Sequence, residues 1–113
     1  MTNKEFVENY IMHDSLIDSI ETDNDGVVRM VIDFAYWMQK DFVEGNPETG
    51  PLTVVFNNVS RFECPKDLPL SEISILKTSI EEDAVKFALL NDMTNDCYDI
   101  IIVTSNIEIQ PMT

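Results

Sequence analysis

The chain is poor in the residues that carry most enzyme chemistry and most nucleic-acid contacts. Its 113 residues include one histidine, two cysteines, three glycines and seven basic side chains, against 21 acidic ones, for a formal net charge of −14. Cys64 and Cys97 are too few for a disulfide framework and have no second Cys or His at metal spacing, so no metal site is expected. There is no Gly-rich phosphate loop, no Walker-type lysine and no Gly-x-Ser-x-Gly elbow, so no cofactor is expected either. No apolar run approaches the ~18 residues of a membrane-spanning helix. The start, Met1-Thr2-Asn3-Lys4-Glu5, lacks the basic and apolar regions of a signal peptide. The expected location is the cytoplasm, where both thiols stay reduced.

The basic residues Lys4, Arg29, Lys40, Arg61, Lys66, Lys77 and Lys86 are scattered singly and form no patch in sequence. A chain this acidic repels nucleic-acid backbones and anionic membrane surfaces, so neither is an expected partner. The acidity is also spread: residues 1–56 carry 11 acids and 3 bases, and residues 57–113 carry 10 and 4. If this charge serves recognition, the partner is a basic protein; otherwise it serves solubility. The sequence leaves the oligomeric state open.

Enough apolar material is present for an ordinary core. The length predicts one domain, 1–113. Surface scaling predicts a folded surface of roughly 6,300 Å² against about 18,700 Å² unfolded, so about two thirds is buried. A hydrophobic fraction of 44% is too high for a disordered chain.

Along the chain, residues 4–12 read as a short helix or irregular lead-in with Phe6 and Tyr10 on one face. A first strand, 15–22, alternates imperfectly and predicts a bulge or an edge. Asp23-Asn24-Asp25-Gly26 is a hairpin turn. A strand over 27–38 alternates cleanly, with Val28, Met30, Ile32, Phe34, Tyr36 and Met38 toward the core. A loop over 39–50 carries two glycines and a proline. Strands follow at 51–58, with Leu52, Val54 and Phe56 inward, and at 59–64 with Phe62. Pro65 and Pro69 mark a crossover.

The stretch 72–91 fits two templates. Ser79-Ile80-Glu81-Glu82 matches a capping box and favours a helix over 80–91, whereas Val85, Phe87 and Leu89 alternate as in a strand. Residues 91–96 are turn-like, and Tyr98 to Ile109 is one β-rich run with Ile101, Val103, Ile107 and Ile109 on one face.

Few constellations could carry chemistry. His13-Asp14 pairs a base with a carboxylate, but adjacent strand residues point to opposite faces, so no catalytic residue is assigned. Residues 21–32 imitate half of an EF-hand loop, but Ile32 stands where calcium needs a bidentate Glu. Trp37 lies on the mixed side of its strand, near the long loop. With Asp41, Phe42 and Glu44 it forms the candidate binding site, an apolar anchor with an acidic rim. The competing reading is that Phe6 and Tyr10 cover Trp37.

The segments His13-Asp14-Ser15-Leu16-Ile17-Asp18-Ser19-Ile20, Leu52-Thr53-Val54-Val55-Phe56-Asn57-Asn58-Val59 and Tyr98 to Ile109 resemble small bacterial β-proteins laid out like the immunity-protein families of polymorphic toxin systems. The resemblance spans about residues 10–110 and rests on strand patterns. It implies that Ala84 to Leu90 pairs as a hairpin with the last strand, which favours strand over helix there. It carries over no catalytic residue.

The expected fold is mainly β: a single antiparallel β-sandwich or strongly curved sheet with a short N-terminal helix or coil. The alternative is an α+β layout with a helix near 80–91. The expected core is Ile20, Val28, Met30, Ile32, Phe34, Leu52, Val54, Phe56, Phe62, Phe87, Leu89, Ile101, Val103 and Ile107. The expected function is that of a non-enzymatic acidic binding protein, immunity-like, that inhibits a basic toxin or nuclease. The alternative is a small-molecule or oligosaccharide binder on a face lined by Tyr36, Trp37 and Tyr98.

Overall fold

Turn chemistry sets the first hairpin. Asp23 Oδ1 accepts from the Asp25 N–H at 2.9 Å and from the Val27 N–H at 3.2 Å, and Gly26 takes φ +76°. Those hydrogen bonds, with Arg29 3.3 Å from the same carboxylate, hold the Asp23 carboxyl below the usual range. The computed structural model, which describes residues 1–111, joins at this turn β1 (Leu16–Thr22) and β2 (Val28–Ala35). The expected bulge in β1 falls between Ile17 and Ser19.

The remaining strands are β3 (Thr49–Asn57), β4 (Arg61–Glu63), β5 (Ile73–Glu81), β6 (Ala84–Asn91), β7 (Cys97–Val103) and β8 (Asn106–Pro111). The fold is mainly β. All eight strands form one antiparallel sheet, ordered β4-β7-β6-β5-β1-β2-β3-β8 and not closed. One short helix, α1 (Asn3–Asn9), precedes them. It starts with a capping box in which Thr2 Oγ1 accepts from the Glu5 N–H at 3.1 Å and Glu5 accepts from the Thr2 N–H at 3.0 Å.

The sheet is folded on itself. In a flat sheet β3 and β6, four strand steps apart, would be separated by roughly 19 Å at about 4.8 Å per step. Yet the rings of Phe56 (β3) and Phe87 (β6) meet edge to face at 6.1 Å. The fold line is the β1–β5 boundary, where only Leu16 and Ser74 pair. The two halves, β1-β2-β3-β8 and β5-β6-β7-β4, thus close over one core. Phe6 of α1 enters it from outside the sheet, with its ring 6.0 Å from Phe56 and 6.2 Å from Phe87. The N-terminal end of the helix is anchored to both halves of the sheet. Met1 exchanges hydrogen bonds with Ile107 of β8, and Asn3 donates to the Asp83 carbonyl in the β5–β6 turn.

Residues 80–81 end one strand and 84–91 form the next, with a turn at 82–83, so the helical alternative is not adopted. Glu82, inside the apparent capping box, takes φ 58° and turns the chain into a hairpin. The strand expected over 27–38 stops at Ala35, and Tyr36–Met38 form a 3₁₀ turn. The run from Tyr98 to Ile109 is not one strand. It breaks at residues 104–105, and β7 and β8 go to opposite sides of the sheet order.

The break overturns part of the expected core. Ile100 and Ile102 are buried, whereas Ile101 and Val103 face outward and are half-buried. The face is set by pairing with β6, where Phe87 stands opposite Ile100 and Val85 opposite Ile102. Ile20 and Phe62 sit half-buried at the core's margin. The buried cluster gains Phe6, Met12, Ile17, Ile73, Ile75 and Val85.

Because Phe6 is fully buried between the two halves, Phe6→Ala is expected to lower the unfolding free energy by about 3–5 kcal/mol. Urea denaturation read by circular dichroism checks this. A loss below about 1 kcal/mol would mean that α1 does not seal the core.

Candidate functional site

The segment joining β2 to β3, residues 36–48, is held by the fold rather than by its own contacts alone. Its 3₁₀ turn is closed by Gln39 N–H donating to the Tyr36 carbonyl at 3.0 Å, and Trp37 N–H donates across the loop to the Glu48 carbonyl at 3.0 Å. Phe42 N–H bonds the Gln39 carbonyl, and Asn46 N–H the Val43 carbonyl. Two polar side chains that sequence reading passes over tie this loop down. Ser15 is fully buried, and its Oγ accepts from the Ala35 N–H at 2.9 Å. The Gln39 amide donates to the Ile11 carbonyl at 2.7 Å and the Ala35 carbonyl at 3.0 Å, and accepts from the Ile11 N–H at 3.0 Å. Gln39 therefore copies a strand partner for the lead-in segment and clamps it to the end of β2. Its only sequence signal is a long amide side chain beside an apolar strand end.

Tyr36 is fixed by packing. Its ring meets Phe34 edge-on at 5.0 Å, and its hydroxyl donates to the Pro51 carbonyl at 3.4 Å. Gly50 lets the ring lie against the strand, since a Cβ there would sit 3.2 Å from a ring carbon. Beyond Tyr36 opens a pocket of about 350 Å³ lined by Tyr36, Asp41, Phe42, Asn46 and Pro47. A smaller one of about 200 Å³, lined by Glu8, Asn9, Ile11, Gln39, Lys40 and Asp41, shares the Asp41 wall.

Of the four residues named from sequence, Asp41 and Phe42 line the larger pocket. Trp37 and Glu44 stand on the same loop outside its lining. Trp37 is 44% exposed. Phe6 and Tyr10 do not stack on it; their rings pack on each other and on Phe34, Phe56 and Phe87. The loop acids Asp41, Glu44 and Glu48 have no cation within ion-pair distance among the described residues. Arg29, Arg61 and Lys86 each lie against carboxylates elsewhere. Glu81, with Asp99, pushes the Lys86 ammonium's pKa up.

His13 and Asp14 precede β1 in a turn, with Asp14 at φ 66°, so the opposite-faces argument does not apply to them. His13 Nδ1 lies 2.9 Å from the Leu76 carbonyl and Nε2 lies 3.5 Å from Asp14 Oδ1. The neighbouring hydroxyl, Ser15, is buried and already bonded, so this pair has no nucleophile there. Cys64 and Cys97 are free thiols, and burial pushes the Cys64 pKa up, which disfavours its thiolate. Among the described residues no group of three His, Cys, Asp or Glu side chains could hold a metal. No helix of the described residues is long and apolar enough to cross a membrane. Of the aromatics in the alternative ligand face, Tyr98 lies in β7, four places from β2 in the sheet order, and packs against the core. Between the halves, the sheet interior is filled by side chains.

Compared with protein-family models, with curated proteins and with solved structures, the chain matches none.

Replacing Gln39 by leucine removes the clamp and leaves backbone groups of Ile11 and Ala35 without partners. Gln39→Leu is expected to cost about 1–3 kcal/mol of stability. It should also make the sole tryptophan, Trp37, more accessible to acrylamide quenching. Unchanged quenching and stability would mean that Gln39 does not hold the loop.

Proposed function

We propose that the protein is a non-enzymatic acidic binding protein that engages a basic protein through the rim formed by residues 36–48, in the manner of an immunity protein that neutralises a basic toxin or nuclease. The observation that carries this reading is the half-exposed Trp37 on a hydrogen-bonded loop whose acids Asp41, Glu44 and Glu48 form no ion pair among the described residues. Tryptophan is enriched among protein interface hot spots, and the rim of such an interface is polar and solvent-accessible. A loop already ordered in the free protein loses less entropy on association, which favours affinity. The net charge of −14 adds attraction toward a basic surface and speeds encounter. The resemblance of the strand pattern to immunity proteins agrees with this reading.

The test separates a defined epitope from a diffuse field. Asp41→Lys with Glu44→Lys and Glu81→Lys with Glu82→Lys have the same net charge. Association of each with basic nuclease-toxin domains encoded beside it in the genome is measured at two salt concentrations. The first pair is expected to slow association by about tenfold or more at low salt, and the second to do much less. Equal losses would leave only a diffuse field, and no association with any basic domain would sink the reading.

A further inference from the structure

The geometry points to the 350 Å³ pocket as a receptor for one arginine side chain of the basic partner. This deepens the proposed function and rests on it. A volume of this size lies near the lower end for ligand sites, about 300–1,000 Å³, and suits a single side chain rather than a large ligand. Its walls are chemically specific. Tyr36 and Phe42 supply aromatic surface, Asp41 supplies a carboxylate, and Asn46 supplies an amide. The guanidinium is planar, stacks on aromatic faces and presents a fork of N–H donors to a carboxylate. A neutral apolar side chain would leave the Asp41 charge unanswered, and an anion would be repelled by it.

Two further features favour a cation from outside. Asp41 makes no ion pair within the described residues, and the adjacent Lys40 lines the smaller pocket and not the larger one. The Tyr36 part of the aromatic wall is also preformed. Tyr36 is held by Phe34, by the Pro51 carbonyl and by the bare backbone of Gly50, so no rearrangement is needed to create it. Trp37, whose exposed ring is not part of the pocket lining, remains free for a separate contact.

The probe is Nα-acetyl-arginine methylamide, titrated into the full chain and followed by amide chemical shifts. The neutral analogue with citrulline in place of arginine has nearly the same shape and serves as control. The expected result is weak, saturable binding with shifts confined to Tyr36, Asp41, Phe42 and Asn46, and none of these shifts with the citrulline compound. Asp41→Asn should abolish saturation, and Phe42→Leu should weaken binding by about two- to fivefold, the scale of an exposed cation–π contact. Asp41 is exposed, so its variant should fold normally, and an unchanged spectrum elsewhere verifies this. Shifts spread over acids such as Glu81, Glu82 and Glu108, or equal binding of the citrulline compound, would overturn the pocket. Those results would leave the acidic-rim reading standing, because that reading is tested separately, by association with basic domains and by the selective effect of charge reversal at Asp41 and Glu44.

Discussion

The rings of Phe6, Phe56 and Phe87 approach one another pairwise at 6.0, 6.2 and 6.1 Å, and each belongs to a different part of the chain. One comes from the helix, one from β3 and one from β6. Offset or edge-on aromatic pairs at such distances contribute about 0.5–1.5 kcal/mol each beyond the apolar area they bury. Their larger effect is geometric. A single open sheet of eight strands has two faces and cannot bury one of them against itself unless it bends. The one-pair junction between β1 and β5 lets it bend, and the three rings hold the halves together. The edges do not pair with each other, yet side-chain and backbone bonds gather them at one corner. Thr104 Oγ1 donates to the Asn57 carbonyl, and Ser60 N–H donates to the Val103 carbonyl at 3.0 Å.

The candidate site follows from that closure. Folding the sheet brings the lead-in segment 10–15 over the end of β2, where Gln39 and Ser15 can reach it. Tyr36 then continues the core outward, since it packs on Phe34, which packs near Tyr10. Beyond Tyr36 the apolar interior ends, and the carboxylates of Asp41, Glu44 and Glu48 make no ion pair among the described residues. The boundary between a packed aromatic and uncompensated charge is where a cationic side chain gains from both.

Much of the fold was legible because alternation and turn residues agree over most strands. Val28, Met30, Ile32 and Phe34 are all buried, as their period predicts. Legibility failed where two patterns were equally apolar. In residues 100–103 every position is Ile or Val, so periodicity is silent and the pairing partner chooses the face. The Glu-rich turn at 81–83 imitated a helix start because local signals cannot register that β5 and β6 gain a shared ladder. Phe6 looked like one apolar residue on a short helix, and its role at the centre depends on contacts more than 40 residues away. At the site, Trp37, Asp41, Phe42 and Glu44 were legible as an aromatic–acidic cluster on a loop. As a site residue Tyr36 was legible only for the alternative ligand face; its packing against Gly50 and Pro51, the Gln39 bonds to Ile11 and the Ser15 bond to Ala35 were not legible, since they join segments 14 to 28 residues apart.

This rim is built in advance by the fold through the bonds of Gln39, Trp37 and Ser15. Native-state hydrogen exchange of the free protein tests it most directly, at the N–H groups of Ile11, Trp37 and Gln39, which bond to Gln39 Oε1, the Glu48 carbonyl and the Tyr36 carbonyl. The expected result is exchange far slower than in an unstructured peptide, with the three amides opening together. Exchange of all three at free-peptide rates, while β2 and β3 stay protected, would contradict a preformed site.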